Sequence, residues 1–300
     1  MNLIDTPLFS VVTVCYNSGE LIRKTIESVL AQANEVDNLF EYVIQDGSST
    51  DNTLSIIDEY KNRFSEKHIN LVINSTKDGG IYDAMNKAVS ASNGKYVIFM
   101  NADDCFYSET VLLDVKNSLM KGFAAAFDES SLNCDTILPG IVFGDCIVKE
   151  LGMYFKFRKC PKQIETRMPF SHQACFAKRE LLLKWPLDLQ YPITADYDFL
   201  LKCHVNKCSF YDSDVIISLV TADGVSSVNM FDAFSEACRV CDSYGIPRYS
   251  ESEMKKKVFE MKIKQFVLDC FPNSIKKSIR KYQVTHRGQT CEVTLPKWAD

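Results

Sequence analysis

Apolar residues along this chain come in short packets whose period alternates between two and about three and a half. Phe9-Ser-Val-Val-Thr-Val-Cys15 is a β-branched run with Pro7 before it and Asn17-Ser-Gly19 after it, which predicts a buried strand ending in a loop. From Glu20 to Gln32 the apolar positions Leu21, Ile22, Ile26, Val29 and Leu30 recur at helical spacing. Phe40 to Gln45 reads as a second strand, Thr53 to Phe64 as a helix, Ile69 to Asn74 as a strand, Ile81 to Ser92 as a helix and Lys95 to Met100 as a fourth strand. Strict strand–helix alternation predicts an α/β fold, a mostly parallel sheet with right-handed crossovers and flanking helices. Ligands of such sheets bind beyond the carboxyl ends of the strands. Those ends here carry Tyr16-Asn17, Asp46, Asp78 and Asp103-Asp104.

The pattern loosens after about residue 110. Ile141 to Val148 and Tyr154 to Phe157 predict strands around a turn, and Arg179 to Lys184 a short helix stopped by Pro186. Asp196 to His204 and Phe231 to Tyr244 are helical, Ser209 to Val220 forms one or two strands, and Ser252 to Tyr282 is helical with a break near Pro272.

Composition narrows the picture. With 300 residues and 46% hydrophobic content the chain can bury a substantial core. A formal charge of −5 argues against a surface devoted to nucleic acid, so no nucleic-acid partner is expected. Met1 to Pro7 lacks a basic region followed by an apolar run, and nowhere do about 18 apolar residues follow one another. A cytoplasmic protein with reduced thiols is therefore expected. Cys203, Cys208, Cys238 and Cys241 suggest zinc, but Cys238 and Cys241 sit three apart in a helical stretch and read better as small buried apolar residues.

Three groups carry candidate chemistry. Asp103 and Asp104 follow the strand Tyr96-Val-Ile-Phe-Met100. Adjacent carboxylates repel and are tolerated where a hard cation or solvent neutralises them. A divalent metal there would bridge a diphosphate, whereas the plainer alternative is an exposed turn capping the next helix. Asp-Gly-Ser-Ser-Thr-Asp, residues 46–51, is an ordinary turn and cap, yet that does not explain an acid at the strand end itself. An Asp at that point can accept the imino N–H of uracil, with Tyr16 stacking on the base.

Taken in order, the segments Phe9-Ser-Val-Val-Thr-Val-Cys-Tyr-Asn17, Val43-Ile-Gln-Asp-Gly-Ser-Ser-Thr-Asp-Asn-Thr53, Asp78-Gly-Gly-Ile-Tyr-Asp-Ala-Met-Asn86 and Gly94-Lys-Tyr-Val-Ile-Phe-Met-Asn-Ala-Asp-Asp104 resemble family 2 inverting glycosyltransferases with the GT-A fold, of the type that builds bacterial surface polysaccharides. The resemblance covers roughly residues 8 to 225. It implies that Tyr16 and Asp46 contact uracil, that Asn17, Asp78, Asp83, Asn101 and Ala102 border a UDP-sugar, and that Asp103 binds Mn²⁺ or Mg²⁺. The family's metal motif is Asp-x-Asp, and Asn101 stands in its first place. Asp104 then stands behind the metal ligand. Ile193-Thr-Ala-Asp-Tyr-Asp-Phe-Leu-Leu201 resembles the family's base motif, usually Glu-Asp. Position 195 is Ala, so Asp196 alone inherits the role of general base, while Asp198 points elsewhere on the helix. Ser171-His-Gln-Ala-Cys-Phe176 implies an acceptor pocket bordered by His172 and Gln173. Thr221-Ala-Asp-Gly-Val-Ser226 resembles a loop that closes over the donor.

The expected domains are a catalytic unit over 1–228, with a nucleotide-sugar half at 8–108 and an acceptor half at 109–228, and a helical extension over 229–300. Lys255, Lys256, Lys257, Lys262, Lys264, Lys276, Lys277, Arg280 and Lys281 accompany Phe259, Met261, Phe266, Val267, Leu268, Phe271 and Ile275 in that extension. This basic, apolar stretch docks on an anionic membrane surface or packs on the catalytic unit. With a polyprenyl-diphosphate-linked saccharide as the expected acceptor, the protein would sit peripherally on the inner face of the plasma membrane. Two other functions share the architecture: a sugar nucleotidyltransferase, which normally has a Gly-rich basic loop where Tyr16-Asn-Ser-Gly19 stands, and a catalytically dead GT-A binding module, suggested by Asn101 and Ala195.

Overall fold

The computed structural model describes residues 6–33, 39–124, 138–157, 159–222, 229–286 and 295. Its first half alternates as the sequence predicts: β1 (Phe9–Cys15), α1 (Leu21–Leu30), β2 (Phe40–Asp46), α2 (Thr53–Glu66), β3 (Leu71–Ser75), α3 (Ile81–Ala91) and β4 (Tyr96–Phe99). Then follow β5 (Cys105–Phe106), α4 (Val111–Gly122), the hairpin of β6 (Ile141–Glu150) with β7 (Met153–Lys156), β8 (Cys175–Lys178), α5 (Arg179–Lys184), α6 (Ala195–Val205) and β9 (Phe210–Thr221). Three helices close the described chain: α7 (Met230–Ser243), α8 (Glu251–Asp269) and α9 (Asn273–His286).

One sheet runs in the order β3-β2-β1-β4-β8-β6-β9-β5, with β7 on β6. The strands β1 to β4 pair in parallel, as do β6 and β9, and β8 is antiparallel to both neighbours. Ser209 to Val220 resolves as one strand, and the pairing of β6 with β9 slips beside Gly144, where a Cβ would meet the Val215 carbonyl oxygen at 2.3 Å.

Side-chain alternation splits the sheet into two apolar faces. Phe9, Val11, Tyr42, Ile44, Tyr96 and Ile98 pack with α1, α2 and α4 on one side. On the other, Val12, Val14, Val43, Val97 and Phe99 pack with α3, α6 and α7. Covering both faces explains why these strands are continuously apolar. Val240 and Cys241 of α7 belong to the second face.

The amino ends of the central strands are sewn together by Glu41, which is buried. Its carboxylate accepts from the Ser10 hydroxyl (2.6 Å), the Asn70 and Asn93 amides (3.2 Å each) and the Gly94 N–H (3.1 Å). Gly94 fits only without a Cβ, which would come within 2.5 Å of the Ser10 nitrogen. Gly94→Ala is therefore expected to destabilise the fold by about 1–3 kcal/mol or more, read as a lowered denaturation midpoint. An unchanged midpoint would contradict the close approach.

The C-terminal helices differ from each other. α9 packs: Val284 is buried in the first core face, and Arg280 donates to Glu150 at 2.8 Å while lying 5.0 Å over Phe155. α8 starts with a capping box between Ser250 and Glu253 but has no buried residue. Phe259, Ile263, Phe266 and Val267 lie exposed along its outer side. Among the described residues no helix is long and apolar enough to cross a membrane.

Candidate active site

The carboxyl ends of β1, β2 and β3 form one shelf. Tyr16 follows β1 and is 63% exposed, an aromatic face left open at a strand end. Asn17 turns the chain at φ 47°, and its Oδ1 accepts from the Thr50 N–H at 2.9 Å, so it ties the β1 loop to the β2 loop. Asp46 is 0% exposed. Its Oδ2 accepts from the Ser49 N–H (2.9 Å) and the Ser75 hydroxyl (2.6 Å), and its Oδ1 from the Ser49 hydroxyl. The carboxylate is buried and hydrogen-bonded, and it folds the loop beneath Tyr16. The open carboxylate on this shelf is Asp78. Its Oδ1 accepts from the Gly80 N–H at 2.9 Å, and its Oδ2 lies where a Cβ on Gly47 would meet it at 2.7 Å and the Tyr16 ring at 3.3 Å. Asp83 is occupied by the Gly79 N–H (2.8 Å) and Lys87 (2.9 Å), which together hold its carboxyl below the usual range. It braces the turn at Gly79.

After β4 the turn Asn101-Ala102-Asp103-Asp104 is pinned from α1, where the Thr25 hydroxyl donates to the Asp104 carbonyl at 2.7 Å. Ala102 packs against the first core face. Asp103 adopts φ 79°, a left-handed conformation uncommon outside Gly and Asn. Its carboxylate stays partly open, with Lys24 Nζ 3.6 Å from Oδ1 and the Thr221 hydroxyl donating to Oδ2 at 3.2 Å. Asp104 turns the opposite way and is buried. Gln173 Nε2 donates to it at 3.0 Å, and desolvation outweighs that bond to push its pKa up to about 7. Gln173 therefore faces this turn.

Asp196 lies in the first turn of α6, with two groups converging on Oδ1. The Tyr197 N–H donates at 2.8 Å and the Tyr82 hydroxyl at 3.2 Å. Burial first, then Asp196, raises the Tyr82 pKa and keeps that phenol a donor. On Oδ2 stands His172 Nδ1 at 3.0 Å, and His172 Nε2 lies 3.3 Å from the Asn101 amide nitrogen. Burial pulls the His172 pKa down, but the hydrogen bond to Asp196 and its charge outweigh this and leave it raised. His172 thus pairs with the base candidate. Asn101 Oδ1 is buried without a partner. Exchanging the amide's O and N would let that oxygen accept from a protonated His172. Asp198 faces away, bound by the Tyr244 hydroxyl at 2.8 Å and Lys202 at 3.3 Å, and Ala195 is wholly buried.

The metal expectation rests on Asp103. Among the described residues no three His, Cys, Asp or Glu side chains stand together as a metal cage. Mg²⁺ and Mn²⁺ at a diphosphate need only one or two protein carboxylates, since the phosphates complete the shell. A partly open Asp103 offers a hard oxygen that fits such an ion. Residues 223–226 of the expected closing loop lie outside the described residues; Thr221, at its start, binds Asp103.

Tyr82, Lys24 and the His172–Asp196 pairing were missed from sequence. Tyr82 sits inside the Asp78–Asn86 motif, so its signal was present, but its target is 114 positions away.

Residues 10–179 match the profile of Glycosyl transferase family 2. The PGL/p-HBAD biosynthesis glycosyltransferase of Mycobacterium tuberculosis is 29% identical over 201 residues, covering 67% of this chain and 71% of its own length. The poly(ribitol-phosphate) beta-glucosyltransferase of Bacillus spizizenii is 23% identical over 242 residues, 71% of this chain and 37% of its own. Among solved structures, S. aureus TarS 1-349 in complex with UDP superposes with a TM-score of 0.56 at 20% identity, over 84% of this chain and 70% of that one. The mannosyltransferase PcManGT from Pyrobaculum calidifontis, in complex with GDP-Man and Mn²⁺, gives 0.57 at 14% identity, over 85% of this chain and 68% of that one.

Proposed function

The chain belongs to glycosyltransferase family 2, and from that premise we propose that it transfers a sugar from a UDP-sugar, with inversion, to a hydroxyl of a saccharide acceptor during synthesis of a cell-surface polysaccharide. The observation that carries this reading is the continuous chain from Asn101 through His172 to Asp196. It joins the turn bearing Asp103 to a carboxylate held by the Tyr197 N–H, by His172 and by the Tyr82 hydroxyl, whose one proton is shared with the Ile193 carbonyl. Asp196 takes the proton of the acceptor hydroxyl, whose oxygen forms the new bond to the anomeric carbon as the bond to the diphosphate breaks. His172 and Tyr82 hold that carboxylate. Tyr16 stacks on the base, with Asp78 beside it. Asp103 would hold Mn²⁺ or Mg²⁺, which when bound neutralises charge on the departing diphosphate. In this reading residues 8–108 hold the donor and 109–228 the acceptor, with α7 completing the second half.

UDP is preferred as the donor nucleotide because TarS is crystallised with it, while PcManGT is crystallised with GDP-Man. The deciding experiment incubates the protein with Mn²⁺ and each common UDP-sugar, or GDP-mannose, and measures nucleotide release. Release of GDP but not UDP would overturn the UDP assignment, and pyrophosphate release would indicate a nucleotidyltransferase.

The acceptor in this reading is lipid-linked, and the protein meets it as a peripheral protein. Support comes from α8, where Phe266 is 72% exposed beside Lys262 and Lys264. Each Lys near an anionic surface contributes on the order of 1 kcal/mol, screened by salt. The protein is expected to sediment with anionic vesicles at low salt and to be partly released at high salt, and Phe259→Glu with Phe266→Glu should abolish sedimentation. Truncation after Tyr249 is a poorer test, because it withdraws Val284 from the core. Protein left in the supernatant at low salt would favour a soluble acceptor.

A further inference from the structure

Glu236 is a carboxylate that no step above uses, and it is 2% exposed. It projects from α7 onto the residues just before α6. Its Oε1 accepts from the Ile193 N–H at 2.8 Å, the Thr194 N–H at 2.7 Å and the Thr194 hydroxyl at 2.9 Å. Its nearest cation is Arg239, 3.5 Å from Oε2 and itself 62% exposed, so the acid is stabilised chiefly by those three donors. A buried carboxylate without a buried cation is costly unless its hydrogen bonds are complete.

The position it fixes matters. Thr194 is the N-cap residue of α6 and Asp196 lies two residues on. The Ile193 peptide is held from both sides, its N–H by Glu236 and its carbonyl by the Tyr82 hydroxyl at 2.7 Å. The same Tyr82 hydroxyl reaches Asp196 Oδ1 at 3.2 Å. Glu236 from one side and Tyr82 from the other thus clamp the backbone from which Asp196 projects. A carboxylate at a helix N-terminus is also favoured by the helix dipole.

We propose that Glu236 is a positioning residue for the transfer: it sets the backbone at 193–194 so that Asp196 meets the acceptor hydroxyl in line with the anomeric carbon. The proposal rests on the reading of Asp196 as the base. A displacement of about 1 Å at a reacting group can cost on the order of 10²-fold in rate, so the clamp acts on turnover and not on donor affinity.

Four variants test this: E236A, E236D, E236Q and E236A combined with D196N. Each is assayed below its own denaturation midpoint for kcat, KM for donor and acceptor, and UDP affinity by calorimetry. E236Q keeps an oxygen acceptor in place and should retain kcat within about 3-fold, while E236A orphans three donors and should lose about 10–100-fold in kcat. E236D keeps the charge but withdraws the oxygen by one methylene, and should resemble E236A. UDP affinity should stay within about 2-fold throughout, and E236A should lower kcat no further in the D196N background, since the residue acts through Asp196. Should E236A fail to fold, E236D carries the same comparison against E236Q. The inference is overturned if E236A and E236D keep kcat within about 3-fold, if E236A lowers kcat equally with and without Asp196, or if UDP affinity falls in parallel. A D196N enzyme that turns over normally would instead sink the base assignment, and the positioning role with it.

Discussion

Asp196→Asn is expected to lower kcat by about 10²–10⁴-fold while leaving UDP affinity unchanged, because it removes basicity with little change of shape. The donors around Asp196 make the prediction specific. Tyr197 N–H and the Tyr82 hydroxyl bind Oδ1, and His172 Nδ1 binds Oδ2, so an Asn Oδ1 can satisfy either side but not both. The amide that results is too weakly basic to take the acceptor's proton. His172→Ala should reproduce part of the loss by releasing Oδ2. The product of the native enzyme should be β-linked when the donor is an α-linked UDP-sugar, as NMR coupling constants will report. An α-linked product, or D196N turnover within about tenfold of native, would remove Asp196 from this role.

The sheet and its polar, acidic edge were legible because they are written in local patterns. β1 to β4 and their helices follow from period and from turn residues, and the acidic strand ends follow from the parallel arrangement. What stayed hidden was the direction each carboxylate faces. Asp46, Asp78, Asp83, Asp103 and Asp104 look alike in sequence, yet one is buried under three donors, one leans on Gly47 beside Tyr16, one pairs with Lys87, one lies partly open and one is buried against Gln173. Those outcomes depend on partners 3 to 118 positions away. The short strand β5 and the antiparallel β8 were also hard to read, since their placement is set by pairing with β9 and β6. Helix α8 carries Met254, Val258, Met261 and Leu268 half-covered on one side and Phe259, Ile263 and Phe266 open on the other. A helix apolar on two sides gives no single stripe, so sequence alone left docking and packing undecided; α9 packs, and α8 keeps the open face.

Replacing Asp103 is expected to abolish metal-dependent turnover. Asn is the better substitute than Ala, because the residue sits at φ 79°, and Asn tolerates the left-handed region with less strain. Asp103→Asn keeps an oxygen for the Thr221 hydroxyl but loses the charge that Lys24 now faces and that a divalent ion would require. Turnover should fall by roughly 10²-fold or more, in the range seen when a group stabilising developing charge is lost. The native enzyme should lose activity in EDTA and regain it with Mn²⁺, whereas D103N should respond weakly to added Mn²⁺ at concentrations that saturate the native protein. Lys24→Gln separates the two cations. If Lys24 only holds Asp103 until the metal arrives, K24Q should bind Mn²⁺ at least as tightly as native. If Lys24 itself neutralises the diphosphate, K24Q should lose turnover while D103N retains it. Full activity of D103N in EDTA would end the metal assignment and leave Lys24 as the positive charge at the leaving group.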